Sequence, residues 1–188
     1  MPIIQDKDAE LDGVIQVAKL MCIAARTAPK ARGIDNVVSC IVYGREDIEK
    51  MALEMERIGK ELNWNFMIRD ADSIRKAHAI VLIGLKNPIP TGLNCELCGF
   101  NCEEIKKIFK ERKVFKAPYC AFQLLNLGIA LGSAVKIASD LNVDNRIMVS
   151  IGIAAKRVGI IDADIVLGIP LASLGKNPFF DRKPLERR

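Results

Sequence analysis

Apolar residues at Leu11, Val14, Ile15, Ala18, Met21, Cys22 and Ala25 recur at three- and four-residue spacing. That period predicts a helix over 9–28, ended by Pro29 and Gly33. The β-branched run VVSCIVYG (37–44) predicts a buried strand, and 45–62 a second helix with Ile48, Met51, Leu53 or Met55, Ile58 and Leu62 inward. Residues 63–69 (NWNFMIR) alternate as a strand does, and DADSIRKA (70–77) reads as a short helix capped by Asp72 or Ser73. HAIVLIGLK (78–86) is apolar enough for a strand covered on both faces, and NPIPTG (87–92) is a turn-rich connection. A helix follows over 102–113, then a long apolar one from Tyr119 to Leu141, expected to be buried on every side with Gly128, Gly132 and Ser133 as close-approach positions. Residues 145–159 suit either helix or strand, ADIVLGIPLA (163–172) predicts the last core strand, and the tail from Ser173 is irregular. This alternation of strands and helices points to an α/β or α+β sandwich in one domain.

Composition adds modest constraints. Only ten residues are aromatic, so the core must be built from Ile, Leu, Val, Ala and Met. The net charge of +5 reads as spread along the chain with a denser tail, DRKPLERR at 181–188. That excess favours small anionic ligands slightly and gives no support to a nucleic-acid partner. No stretch reaches the roughly 18 apolar residues of a membrane span, and the start MPIIQDKDAELDG lacks the basic and apolar regions of a secretory signal. The expected compartment is therefore cytoplasmic, where six cysteines imply reduced thiols and metal binding rather than disulfides.

The cysteines carry the most specific chemistry. Cys95, Cys98 and Cys102 are separated by two and three residues, and Cys120 follows after seventeen more. Short loops let successive thiolates reach different corners of a 4Fe–4S cluster, with Gly92 and Gly99 allowing the backbone to wrap closely. Zinc also accepts four thiolates, but its usual pattern is two separated knuckles, whereas here three ligands crowd together and one is distant. The cluster is the leading reading; zinc and unmetallated redox thiols are the alternatives. Cys22 and Cys40, on apolar faces of a helix and a strand, read as small buried hydrophobes.

Other residues leave alternatives open. Lys30 and Arg32 flank a loop at a helix end, where they suit either a bound phosphate or a solvated basic surface. Asp35 and Asn36 are a turn pair or ligand contacts, and Asp144, Asn145 and Arg146 suit a turn. Lys176, Arg182 and Lys183 belong to the basic tail, either crossing to a partner subunit or simply disordered. His78, the only histidine, opens an apolar strand and reads as structural, which removes support for a histidine-dependent hydrolase. GIALGS (128–133) lies within a helix pattern and is no dinucleotide fingerprint.

NCELCGFNCEEIKK with its distant cysteine resembles the 4Fe–4S domains attached to corrinoid and CO dehydrogenase proteins. Across most of the chain, AARTAPKARGIDNV (24–37), RDADSI (69–74), NCELCGFNC (94–102), DNRIMVSIGIAAKRVG (144–159) and GIPLASLGKNPFFDR (168–182) resemble a small prokaryotic family of proteins of unknown function containing a ferredoxin domain. AARTAP (24–29), the Gly/Ala-rich LLNLGIALGSAVKIASDL and the late GIP (168–170) more distantly resemble FMN-dependent nitroreductases. That likeness implies an α+β, nitroreductase-like three-layer sandwich over 1–188, a four-cysteine insert at 92–120, and FMN at a homodimer interface. Departures accompany it: Lys30, Ala31, Arg32 and Gly33 stand where nitroreductases usually place small and amide residues, and an Arg-rich segment ahead of the first AAR helix is missing. The implied site residues are Cys95, Cys98, Cys102 and Cys120 for metal, and Lys30, Arg32, Gly33, Asn36 and Arg182 for an anionic cofactor. Two functions are expected: electron transfer between the cluster and a flavin, another small-molecule acceptor or a redox partner protein; or a non-catalytic binding and assembly module with a structural metal and a degenerate flavin site.

Overall fold

The apolar run after His78 becomes β2 (Ala79–Leu85), every residue of it buried. It pairs antiparallel with β1 (Val37–Val42) on one side and β6 (Ile165–Ala172) on the other, and β6 pairs with the short β5 (Asp144–Asn145). The four-stranded order is β1-β2-β6-β5. The computed structural model describes residues 3–180.

Side chains alternate across β2 and separate two cores. Ile80 and Leu82 pack with α2 (Arg45–Leu62), α3 (Asn65–Ile74) and α6 (Val149–Arg157). Ala79, Val81, Ile83 and Leu85 pack with α1 (Asp6–Thr27) and α5 (Ala121–Asp140). The result is an α+β sandwich of three layers, helices on both faces of one sheet. Gly152 sets the closest approach: a Cβ there would lie 1.8 Å from the Val166 carbonyl oxygen, so only glycine lets α6 rest on β6.

Between β2 and α5 the chain carries α4 (Cys102–Ile108) and a ribbon of β3 (Lys110–Glu111) and β4 (Lys116–Ala117). Val114 and Phe115 at the ribbon's tip pack against the core on the α2, α3 and α6 side, and Ile105 is the buried residue of α4.

Several expectations need correction. Residues 63–69 are not a strand: Asn63, left-handed at φ 55, ends α2, and α3 begins at once. Met67, Asp70, Ala71 and Ile74 form its buried helical face, so Asp72 and Ser73 lie inside the helix rather than capping it. The 102–113 helix stops at Ile108, where Phe109 turns extended and the ribbon starts. Residues 149–157 resolve as helix. The long helix is not buried all round, since Leu124, Leu125 and Ile129 are exposed. By length and composition α5 would also pass as a membrane-crossing helix, contrary to expectation, although here it packs along α1 and the sheet as a core helix does.

Candidate functional site

The loop after β2 is wound by left-handed residues: Asn87, Gly92, Asn94, Glu96 and Gly99 all have φ between 48 and 83. Gly92 and Gly99 are among them, the close wrapping expected around the cysteines. The Asn94 side chain accepts from the Cys102 amide at 3.0 Å, while the Asn94 amide donates to Cys102 Sγ at 3.4 Å. A turn closes between Glu96 and Gly99, and Cys98 Sγ donates to the Phe100 carbonyl at 3.5 Å. Asn101 then caps α4 by accepting from the Glu103 and Glu104 amides, and Glu104 accepts in return from the Asn101 amide. Such a capping box stabilises a short helix by about 1 kcal/mol. Cys95 is exposed, Cys98 and Cys102 are half-buried, and all the cysteines are free thiols.

Cys120 is buried and occupies the cap position ahead of α5. Burial pushes its thiol up, but backbone N–H groups at Thr91, Gln123 and Phe122 outweigh it and hold it below the ordinary range. Thr91 Oγ1 lies 4.0 Å from the sulfur. Beside Cys120 is a cavity of about 240 Å³ walled by Pro88, Ile89, Ile105, Phe109 and Pro118. At its rim Lys116 donates to Asp164 at 2.7 Å, and Asp164 also accepts from the Asn87 amide at 2.8 Å. Cys102 and Ile105 are three residues apart on α4, so Cys102 lies on the same side of the helix as Ile105, which lines the Cys120 cavity.

The donor chemistry fits a thiolate-bound cluster: four free thiols, three on one tightly wound loop and one held toward the thiolate state. Their positions are less gathered. Among the described residues no three His, Cys, Asp or Glu side chains stand close enough to share one ion. Four thiols have no mutual attraction of their own, and metal binding itself supplies the free energy that closes such sites.

The basic loop is arranged differently from an open phosphate cradle. The Lys30 side chain is only 6% exposed; its ammonium donates to the Ala25 and Arg26 carbonyls and pairs with Asp35 at 3.7 Å. It thus satisfies the last carbonyls of α1. Asp35 also pairs with Arg26 at 2.6 Å; burial pushes its carboxyl up, but Arg26, the Val37 amide and Lys30 hold it below the usual range. Arg32, in the left-handed region at φ 57, reaches the Thr91 carbonyl at 2.6 Å, and Gly33 follows at φ 67. Arg32 and Cys120 therefore meet on the same threonine. Asn36 donates to the Asn87 carbonyl at 3.1 Å. Arg182 lies outside the described residues, as does Lys183. His78 accepts from the Ser173 amide at 3.2 Å, a structural use.

Thr91, Gln123, Asn126, Lys116 and Asp164 belong to this neighbourhood and were missed by sequence reasoning. Gln123 donates to the Ile89 carbonyl and Asn126 accepts from the Ala31 amide, both at α5 positions that are fully buried or nearly so. Gln123 Oε1 and Asn126 Nδ2 have no hydrogen-bond partner among the described residues. The signal was present: amides three and six residues after Cys120, on an otherwise apolar helix.

Comparison with known proteins places this geometry in context. A family model described as "uncharacterized protein containing a ferredoxin domain" matches residues 116–182, a span that includes Cys120 but not the other three candidate ligands. An "uncharacterized protein" of Archaeoglobus fulgidus is 49% identical over 183 residues, 97% of this chain and 98% of that one. Among solved structures, a BluB-like flavoprotein from Clostridium difficile superposes with a TM-score of 0.57 at 17% identity, over 100% of this chain and 87% of its own. A nitroreductase with bound FMN from Desulfitobacterium hafniense gives 0.53 at 13% identity, over 99% and 85%. At these identities the likeness concerns the fold, which is nitroreductase-like.

Proposed function

The chain belongs to the family of uncharacterised proteins containing a ferredoxin domain, and from that premise we propose that it is a redox module with a 4Fe–4S site built on a nitroreductase-like domain. Cys95, Cys98, Cys102 and Cys120 are the ligands, the first three on the segment 92–120 inserted into a single domain. When bound, the cluster supplies reversible storage of one electron. The chain supplies the position. α5 fixes Cys120 to the core, the Asn94–Cys102 clasp sets the loop's register, and amides at the start of α5 favour a negatively charged group. The observation that carries this reading is the pairing of a tightly wound three-thiol loop with a buried thiol drawn toward ionisation.

A flavin acceptor is supported by the fold and by the FMN that the Desulfitobacterium nitroreductase binds. A homodimer is supported by the apolar faces that α1 and α5 leave exposed, at Leu20, Ile23, Leu124, Leu125 and Ile129. Lys30 favours the second reading, a binding and assembly module with a structural metal. Its ammonium is engaged at the end of α1, and a phosphate there would have to displace those bonds.

Anaerobic purification followed by iron, zinc and flavin analysis of one sample separates the two. Four irons per chain with absorbance near ~400 nm supports the cluster. Zinc alone, with no FMN bound, overturns the redox reading. A single-chain mass of 20.8 kDa by light scattering overturns the dimer.

A further inference from the structure

The chain's positive charge is not evenly spread. Residues 106–116 hold Lys106, Lys107, Lys110, Arg112, Lys113 and Lys116 against Glu111 alone, a local excess of five, while Glu96, Glu103 and Glu104 ahead of them bring the excess over 92–120 to two. Lys106 is paired with Glu103 and Lys116 with Asp164. Lys107, Lys110, Arg112 and Lys113 are exposed, and none has an ion-pair partner among the described residues. At the ribbon's tip Arg112 and Lys113 share a groove with Lys156 and Arg157 from α6, against Glu61 and Glu111. In the loop that leads into α4, Ile89, Leu93 and Leu97 are 57%, 49% and 62% exposed. Lys107 is five residues along α4 from Cys102, about 8 Å by helical rise.

We propose that α4, the ribbon and the cysteine loop form the docking surface for an acidic, one-electron carrier protein of the ferredoxin class. The inference rests on the redox reading above and names its partner. A site that stores single electrons needs a carrier that delivers them singly, and a cationic surface around it attracts one of opposite charge. Apolar side chains with a charged rim match the anatomy of a protein interface. A nucleic acid fits less well. Phe109 and Phe115 are half-buried rather than offered for base stacking.

The test uses a small acidic bacterial ferredoxin as probe, with binding to the full chain measured anaerobically by calorimetry. Affinity should fall by at least about tenfold as salt rises from ~20 to ~200 mM. Lys107→Glu, Lys110→Glu, Arg112→Glu and Lys113→Glu together should abolish binding and its salt dependence. A charge-matched set elsewhere, Lys7→Glu, Lys19→Glu, Lys50→Glu and Lys60→Glu, should retain it. Unchanged binding in the ribbon variant overturns the proposal, as does equal binding by both variants. Tighter binding of a single-stranded oligonucleotide of the same net charge also overturns it. Because the readout is binding, it stands apart from iron content, which reports on the cluster separately in the same samples.

Discussion

Two sets of thiols divide the molecule. Cys40 on β1 packs into the α2 side of the sandwich and Cys22 on α1 into the other side. Burial, followed by the nearby Cys22, pushes the Cys40 thiol up to about 11; burial also raises Cys22, partly offset by a hydrogen bond from Ser39. These thiols are packing groups. Cys22 and Cys40 are half-buried and Cys120 is buried, yet the surroundings of Cys120 act in the opposite sense, because backbone N–H groups at Thr91 and in the first turn of α5 outweigh the effect of burial. Burial alone therefore does not decide what a cysteine does. The dipoles that accompany it do.

The largest expected effect follows directly. Cys98→Ser and Cys120→Ser should each remove most of the bound iron, whereas Cys22→Ser and Cys40→Ser should leave it in place, as read by metal analysis of anaerobic protein. Iron that survives Cys98→Ser means that the ligand set is wrongly drawn.

Next comes a contrast between two glycines. Gly152→Ala drives a methyl into the Val166 carbonyl, which belongs to the central sheet and cannot yield, so denaturant unfolding should show a loss of about 3 kcal/mol or more. Gly99→Ala meets nothing within 4 Å and bears only the cost of a left-handed backbone at φ 83, about 1 kcal/mol. Equal losses would mean that the insert is as tightly built as the sandwich.

The same division governs how much the sequence revealed. The strand 79–85 and the helix 45–62 were legible because their apolar pattern is dictated by a core they share with the whole domain. NWNFMIR misleads because a seven-residue window alternates by chance, while the recurrence of Met67, Ala71 and Ile74 needs a longer one. The exposed apolar face of α5 was not legible either, since composition cannot say which side of a greasy helix the domain leaves uncovered. At the site, the ligand types could be read from spacing. The tie of Arg32 and Cys120 through Thr91 could not, because it joins three segments distant in the chain. Lys30 looked available for the same reason: the turn that folds Asp35 back toward it has no periodic signature.

A smaller effect separates the thiols by pH. In metal-free protein, alkylation of Cys40 should be half-maximal near pH 11, and that of Cys120 below the ordinary thiol value of 9.0. The signs for stability are opposite. The raised Cys40 contributes stability that is present below pH 9.0 and lost as pH rises through about 11. The lowered Cys120 contributes stability present above 9.0 and lost as pH falls through its depressed value. Rates followed peptide by peptide in mass spectrometry would show it; a Cys120 that alkylates later than Cys40 removes the distinction between the two regions.

The smallest effect tests whether the insert is tied to the core electrostatically. Among the described residues Lys116 is the one ribbon cation paired to the sandwich, through Asp164, whose side chain is 9% exposed while its own is 36% exposed. Its hydrogen bond to Asp164 raises the Lys116 pKa, so the contribution is present below the ordinary lysine value of 10.5 and fades as pH rises through the higher folded one. With Lys116 this open to water, Lys116→Met should cost only roughly 0.5–1 kcal/mol by denaturant unfolding, and less in high salt. Asp164 would keep the Asn87 amide, so β2's exit should hold its geometry. A loss several times larger, insensitive to salt, would show that the ribbon and the sandwich fold as one unit.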